Sequence, residues 1–474
     1  MPVEINNRKE NLKYLLFALV VFASRLPFIY SGYGLDGDSW SVAISASHLH
    51  LTGEYIPSRF PGYPVHEFLC SLVSTFGSTG TNLVSAVFTT LASLFFALSL
   101  KILRFKSVFL AAFTFAFVPV IFIHSTTTID YMIALGFIMA GMYYMLKEQL
   151  IVAGILIGLA IGSRITSGAI LLPFAILLFK KNSLQENLKR SIKLIAPSLI
   201  VAILCYLPLI IKYHFDFFTY YDVPYPAIPK VLYKFSIEVW GVLGVIGIFL
   251  TTILFFLPHK ESKNNFLFPR SVNERYVIAW LIAIDIYIIA FLKLPMESGY
   301  LIPIVPFVIM VYGKYLYRRG FIFFCVMLIA SSFLFTISPS DRFDAANVSH
   351  FSKSFQAGGE KLSFDPAEGP VFSYFTRREN GISFVKNLLH SMDTISVPSV
   401  IVSGRWFNQL IVQSGDTSLL KAKIRDYISE PEALYFYAKG FVIYYLPKQE
   451  YYNKVMRNVD LDVYKAIPYL KETN

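Results

Sequence analysis

Long apolar runs, separated by short clusters of lysine and arginine, dominate the first two-thirds of the chain. A helix needs about 20 mostly apolar residues to cross roughly 30 Å of hydrocarbon. Candidate runs lie at 13–31, 80–102, 107–124, 130–146, 149–163, 166–180, 192–212, 236–257, 276–293, 299–316 and 319–337. Together they predict about eleven transmembrane helices. The pair 149–163 and 166–180 flanks Gly162, Ser163 and Arg164, and reads either as a tight hairpin or as one broken element. The first run is long and lacks a small-residue cleavage site, so it reads as a retained span rather than a signal peptide.

The pattern changes after residue 337. The tail, 338–474, is polar, with short strand-like runs at 399–403 (SVIVS) and 441–446 (FVIYYL) and helical patterns at 381–391 and 416–428. Strand and helix in alternation predict a small α/β domain. The chain thus divides into a helical membrane region, 1–337, with a long first loop at 32–79, and a soluble tail, 338–474. No internal repeat of the kind that marks many transporters is visible. The segment 221–229 (YDVPYPAIP) reads as an aromatic connector or as a cover over a cleft. Asn347-Val348-Ser349 matches a glycosylation sequon, a short match that arises often by chance.

Composition strengthens the membrane reading. The chain is 55% hydrophobic and 15% charged, with a mean hydropathy of +0.55, against about 25% charged in soluble proteins. The net charge of +11 is a topology signal. Basic clusters occur at Arg8, Lys9 and Lys13; at Lys101, Arg104 and Lys106; at Lys180, Lys181, Lys189, Arg190 and Lys193; at Lys260, Lys263, Arg270 and Arg275; and at Lys314, Arg318 and Arg319. With eleven spans these all face one side, which the positive-inside rule makes the cytoplasm. The N-terminus is then cytoplasmic, and the loops 32–79, 213–235 and 294–298 and the tail lie outside. Nucleic-acid binding needs a basic face on a soluble domain, and none is present. Cys70, Cys205 and Cys325 sit far apart in apolar stretches and read as small hydrophobes, not as a disulfide or metal framework.

The first outer loop concentrates the candidate chemistry. Loops longer than about 12–15 residues are usually functional or disordered, and this one is patterned. Residues 39–51 predict a helix with Asp38 as its N-cap and Gly53 as its stop. Pro64 opens a second helix, reaching about Phe76, with His66 and Glu67 in its first turn and an apolar face suited to the membrane interface. Asp36, Asp38, Arg59, His66 and Glu67 are thereby set at the membrane surface. Asp38 serves either as a plain helix cap or as a general base or metal ligand. Asp36-x-Asp38 is a candidate for a divalent cation. His48 and His50 lie on different helix faces and do not form a shared site. Asp130 stands at the outer start of a span, as an N-cap beside Thr126, Thr127 and Thr128 or as a further functional carboxylate. Arg164 is an intramembrane or near-membrane cation, a residue type that is costly in lipid and commonly functional. Lys212 and His214, at the end of another span, are interface anchors or site residues.

Several strings carry a family resemblance. Gly37-Asp38-Ser39, then a helix, then Thr52-Gly53-Glu54-Tyr55, then Pro61-Gly62-Tyr63-Pro64, resembles the first outer loop of the GT-C superfamily of membrane glycosyltransferases. It is similar to that loop in the protein O-mannosyltransferase and lipid A aminoarabinose transferase branches. The segment 158–172 (GLAIGSRITSGAILL) is similar to that superfamily's "GLA-x-G-[RK]" span start, and 297–307 (ESGYLIPIVPF) to its "RYLLPxxPF" stretch. The sequence departs where Ser39 follows Asp38 in place of Glu, and where Ser298-Gly299 replaces an Arg common in relatives. The tail matches no known pattern.

This resemblance implies an enzyme: an inverting transfer of a sugar, such as mannose, from a polyprenyl-phosphate donor to a protein, lipid or glycan acceptor. It implies Asp38 as base, with Asp36 and Asp130 as further carboxylates. Arg59 and Arg164, joined by Lys212 and His214, are then expected on the donor phosphate. Tyr63, His66, Glu67, Glu297 and Tyr300 are expected to line the cleft. No cofactor is required beyond a possible divalent cation on Asp36 and Asp38. The partners are the lipid-linked donor, the acceptor and membrane lipid, in a prokaryotic plasma membrane rather than the endoplasmic reticulum. A transporter or lipid-linked-sugar flippase is the alternative. It would carry internal repeats and mid-span charges, whereas here charges collect at span ends and outer loops.

Overall fold

Helix α1 (Pro2–Ala23) is followed by a 3-10 turn at Leu26–Phe28 and then by the outer loop with α2 (Gly37–Thr52) and α3 (Pro64–Ser71). The computed structural model describes residues 2–179, 183–216, 225–256, 267–269, 271–339, 351–357, 360–393, 395–415 and 422–445. The sequon at Asn347, the basic residues Lys180, Lys181, Lys260, Lys263 and Arg270, residues 221–224 of the outer connector and residue 446 lie outside the described residues.

The bundle continues through α4 (Gly77–Ile102), α5 (Val108–Phe117), α6 (Pro119–His124), α7 (Tyr131–Leu146), α8 (Leu150–Ser163), α9 (Leu171–Leu178), α10 (Leu184–Tyr213), α11 (Ile228–Phe235), α12 (Ile237–Phe256), α13 (Glu274–Lys293), α14 (Val305–Tyr315) and α15 (Arg318–Ala330). Among the described residues, six helical segments are long and apolar enough to cross a membrane: Lys9–Phe28, Ser74–Ile102, Leu184–Tyr213, Ile237–Leu254, Glu274–Lys293 and Ser298–Tyr315. Four further apolar helical stretches, Val108–Phe117, Tyr131–Leu146, Leu150–Ser163 and Ile165–Leu178, are shorter. The run 107–124 breaks where Val118 is extended (φ −64, ψ 137) before Pro119, because a residue preceding proline is pushed out of the helical region. The run 149–180 turns back on itself: α8 stops at Ser163, Arg164 is extended (φ −159, ψ 114), and a 3-10 turn at Ile165–Ile170 leads into α9, which returns so that α10 runs parallel to α8, Gly154 against Leu194 and Gly162 against Cys205.

One continuous apolar core runs through the bundle, from Phe17 and Phe96 to Trp280, Phe307 and Phe324. Helices α8 and α10 approach unusually closely. A Cβ added at Gly154 would lie 2.3 Å from the Leu194 carbonyl oxygen, and one at Gly158 2.7 Å from that of Ser198. Small residues allow this backbone contact, as is common between membrane helices.

Two three-stranded sheets follow the bundle. Strands β1 (Thr336–Pro339), β2 (Lys353–Ala357) and β3 (Glu360–Asp365) pair antiparallel in the order β1-β3-β2. Strand β1 straddles the expected 337/338 boundary, so the sheet begins inside the region assigned to the bundle. Helix α16 (Pro370–Asp393) then leads into β4 (Ser399–Val402), the centre of a parallel sheet with β5 (Ala422–Arg425) and β6 (Val442–Tyr445). All four β4 residues are buried, as expected for a central parallel strand covered on both faces. Phe384, Leu388 and Trp406 cover one face together with Leu410 of α17 (Phe407–Ser414). Phe436 of α18 (Glu430–Ala438) packs against Val400 and Val402 on the other. The helix expected over 416–428 is corrected, since 422–425 form β5 and 416–421 lie outside the described residues. The alternation of buried Ala422 and Ile424 with Lys423 and Arg425 is a strand period.

Candidate functional site

Four side chains form one charged chain at the end of the bundle that carries α2 and α3. Asp130, fully buried at the start of α7, pairs with Arg164 Nη1 at 2.7 Å and with Arg59 Nη2 at 3.2 Å. Arg59 Nε in turn lies 3.1 Å from an Asp38 carboxylate oxygen. The order is therefore Arg164, Asp130, Arg59, Asp38, assembled from four separate segments. Aromatic faces hold the guanidinium groups in place. Arg59 stacks 4.2 Å over Tyr63, and Arg164 lies 4.4 Å from the Tyr131 ring centre and 4.8 Å from that of Tyr300.

Local chain geometry sets each member. The α2 N-cap is Asp36, not Asp38 as expected. Asp36 makes no capping hydrogen bond, and Asp38 falls in the first turn. There it benefits from the positive end of the helix dipole. Gly53 closes α2 in the left-handed region (φ 72), as its position suggested. The second loop helix stops at Ser71 rather than Phe76, giving way to a 3-10 turn at Ser74–Phe76. Asp130 occupies the α7 N-cap without a capping hydrogen bond, because both its oxygens are taken by arginine. The break at Arg164 frees its side chain to turn back onto Asp130.

The electrostatics separate the two carboxylates. Burial alone would raise the Asp130 carboxyl, but Arg164 and Arg59 outweigh it and hold it below the ordinary carboxylate range. Asp130 is thus a counter-ion shared by two cations, unsuited to taking a proton. Asp38 is different: about half its side chain is open, at 48% exposure. Packing around it raises its pKa, with Asp36 adding to the rise and Arg59 opposing it. It is the member of the chain that can exchange a proton with a bound molecule. Arg59 Nη1 is buried and faces no acceptor among the described residues, which leaves one guanidinium donor for an anion.

Other expected residues fall elsewhere. Glu67 and His66 are fully buried and do not line an open cleft. Glu67 accepts from the Tyr55 hydroxyl, the Ser58 amide at 2.8 Å and the Tyr63 amide at 3.3 Å. It therefore shapes the 55–63 turn that presents Arg59. Burial lowers the His66 pKa to about 4, so the ring is neutral near pH 7 and packs beside Cys70. Lys212 pairs with Glu54 at 2.5 Å, and His214 is exposed at the end of α10. Among the described residues, no ion pair joins either to the Asp130 cluster. Asp36 and Glu297 meet instead at an open cleft of about 190 Å³ that also includes Lys234, Glu238, Arg377 and Arg405. Burial, then Asp36, pushes the Glu297 pKa up to about 8. Among the described residues, no three His, Cys, Asp or Glu side chains gather to hold a metal ion. One of the two candidate carboxylates, Asp38, is already paired with Arg59, a poor donor set for a cation.

Sequence reading missed Tyr131 as a platform for Arg164. The adjacent Asp130-Tyr131 pair was the available signal. It also left Gly299 unexplained: a Cβ there would sit 2.5 Å from the Tyr131 ring, so glycine admits the aromatic that supports Arg164. A recess of about 10 Å³, no larger than a water site, lies beside Arg164, lined by Leu135, Ile138, Thr166, Ser167 and Ile302.

No known protein-family profile matches the sequence, and no curated protein matches it. Among solved structures, the chain is similar to ArnT from Cupriavidus metallidurans in the apo state, at 15% identity and a TM-score of 0.46, over 68% of this chain and 60% of that one. It is also similar to the Archaeoglobus fulgidus oligosaccharyltransferase solved with a tethered acceptor peptide, at 11% identity and a TM-score of 0.41, over 87% of this chain and 63% of that one. The chain spans less than two-thirds of the length of either structure.

Proposed function

We propose that this protein is an inverting glycosyltransferase that moves a sugar from a polyprenyl-phosphate donor to an acceptor on the outer face of a membrane. The observation that carries the reading is the half-open Asp38 carboxylate set beside Arg59, which shares the buried counter-ion Asp130 with Arg164. Such a site separates a proton acceptor from a phosphate anchor. An acceptor hydroxyl attacks the anomeric carbon and its proton passes to Asp38. The bond between that carbon and the phosphate oxygen breaks, and polyprenyl phosphate leaves with the electron pair. Arg59, through its free Nη1, and Arg164 stabilise the phosphate as its charge grows. Asp130 fixes both cations in advance, so little rearrangement accompanies the reaction. Lys212 and His214 are left outside this set, and no step needs a metal ion. The distribution of basic residues supports a cytoplasmic N-terminus, and the prokaryotic plasma membrane is the proposed location.

The test is transfer from a radiolabelled polyprenyl-phosphate hexose by membranes carrying the full chain. Asp38→Asn is expected to lower kcat by about 10²- to 10⁴-fold, the range for loss of a general base. If Asp38→Asn transferred label as fast as the wild type, Asp38 would not be the base. If the wild type transferred nothing but speeded movement of the labelled lipid between leaflets, the flippase alternative would replace this reading.

A further inference from the structure

We propose that Arg378, on the tail helix α16, is a positioning residue that sets the geometry of the catalytic loop, and that the tail therefore completes the active site. Arg378 is 2% exposed and lies far from Asp38 and Asp130 in sequence. Its Nε donates to the Ser31 carbonyl at 2.9 Å, one Nη to the Phe28 and Thr126 carbonyls at 3.1 and 2.9 Å, and the other to the Gly32 carbonyl at 2.6 Å. These four carbonyls belong to two segments. One, 28–32, leads to Asp36 and Asp38; the other, at Thr126, leads to Asp130. A single planar guanidinium therefore spans the two strands of chain that carry the carboxylates. Only a group with a rigid fork of five donors can do this.

The rest of the junction shows the same construction. The Thr128 amide donates to the Tyr33 carbonyl at 2.8 Å, and Asn82 donates to the Ile29 and Gly32 carbonyls at 2.7 and 2.8 Å. Those contacts come from the bundle and join the two segments on one side. Arg378 joins them on the other. Two further tail residues reach the same loop: the Leu35 amide donates to the Tyr374 hydroxyl at 3.3 Å, and Asn408 donates to the Ser41 hydroxyl at 2.6 Å and the Gly37 carbonyl at 3.3 Å. The loop bearing Asp36 and Asp38 is thus held from the bundle below and from the tail above. Without the tail contacts, backbone carbonyls at Ser31 and Gly32 would lose charge-assisted partners. The distance from Asp38 to Arg59 would then no longer be fixed.

The kinetic part of this proposal rests on the glycosyltransferase reading, and the structural part does not. The experiment uses the full chain in lipid nanodiscs, with Arg378→Gln, Arg378→Lys and Asn408→Ala. Hydrogen exchange is read at amides 28–38 and 126–130, alongside kcat and donor KM for the labelled polyprenyl-phosphate hexose. Arg378→Gln is expected to speed exchange in those two segments, and to lower kcat about 10- to 100-fold, the scale for a misplaced catalytic group. Donor KM should stay within about twofold, because Arg59, Asp130 and Arg164 remain paired. Arg378→Lys should restore part of kcat. If Arg378→Gln does not fold, Asn408→Ala, which loosens the same loop from the other side of Asp38, carries the test with the same expected split. Unchanged exchange in both segments, or a loss confined to donor KM, overturns the proposal. Faster exchange in a chain whose wild type transfers no sugar leaves the positioning role standing and removes the catalytic reading alone.

Discussion

Asp38 and Asp130 are both aspartates at the start of helices, yet their surroundings make opposite uses of them. Asp38 has its pKa raised by packing, so in the proposed role of base it works only in the ionised form. Transfer should therefore fall as pH drops through that raised pKa, above the ordinary carboxylate range. Removing the opposing cation should move this acid limb further up, so a pH–rate profile of residual activity in Arg59→Gln should shift to higher pH than in the wild type. Asp130 carries two arginines. Asp130→Asn would leave two buried guanidinium groups without their shared counter-ion, a loss of about 3–5 kcal/mol for a broken buried pair. It should lower the thermal midpoint in detergent more than Asp38→Asn does, and equal midpoints would count against the shared counter-ion. Glu297 gives a further pH signature. Its folded pKa of about 8 lies above its unfolded value, so its protonated form stabilises the fold at low pH. That contribution is lost as pH rises through about 8. The wild type should lose thermal stability across that window, while Glu297→Gln should be flatter.

At the scale of elements, the periodic and punctuation signals were readable and the breaks less so. Gly53 as a helix stop, Pro64 as a helix start and the apolar run SVIV as a buried strand all follow from single-residue physics. The interruption at Val118-Pro119 was readable in principle from the proline. The interruption at Arg164 was not decidable, because whether that residue bends the chain depends on where its counter-ion lies. The spacing Gly154, Gly158, Gly162 carried a packing signal that hydropathy alone passes over. Replacing Gly158 with Val would drive a side chain into the Ser198 carbonyl and the Val201 side chain on α10. A stability loss of about 1–3 kcal/mol is expected for such overpacking, visible as a lower thermal midpoint. Gly168→Ala, where a Cβ would clear its nearest neighbour at 3.6 Å, should change little.

For the whole molecule, the consequence that can be checked directly is sidedness. The basic clusters predict that the tail lies outside, and Tyr437 on α18 is 58% exposed. A cysteine at that position should be labelled in intact cells by a membrane-impermeant maleimide. Labelling only after permeabilisation would reverse the orientation and, with it, the face on which transfer is proposed. The membrane character was determined by sequence alone, because the hydrophobic effect acts on composition and run length without regard to what packs against what. The residue types at the site, an aspartate at a helix start and two arginines near the interface, were equally visible. Only the tertiary structure decided their roles. Burial assigned Asp130 to the arginines and left Asp38 open, took His66 and Glu67 out of the cleft, and brought Arg378 across more than three hundred residues of chain to the loop it holds. Each of those outcomes depends on which distant groups share a low-dielectric space, and that is a property of the folded chain rather than of any local run of residues.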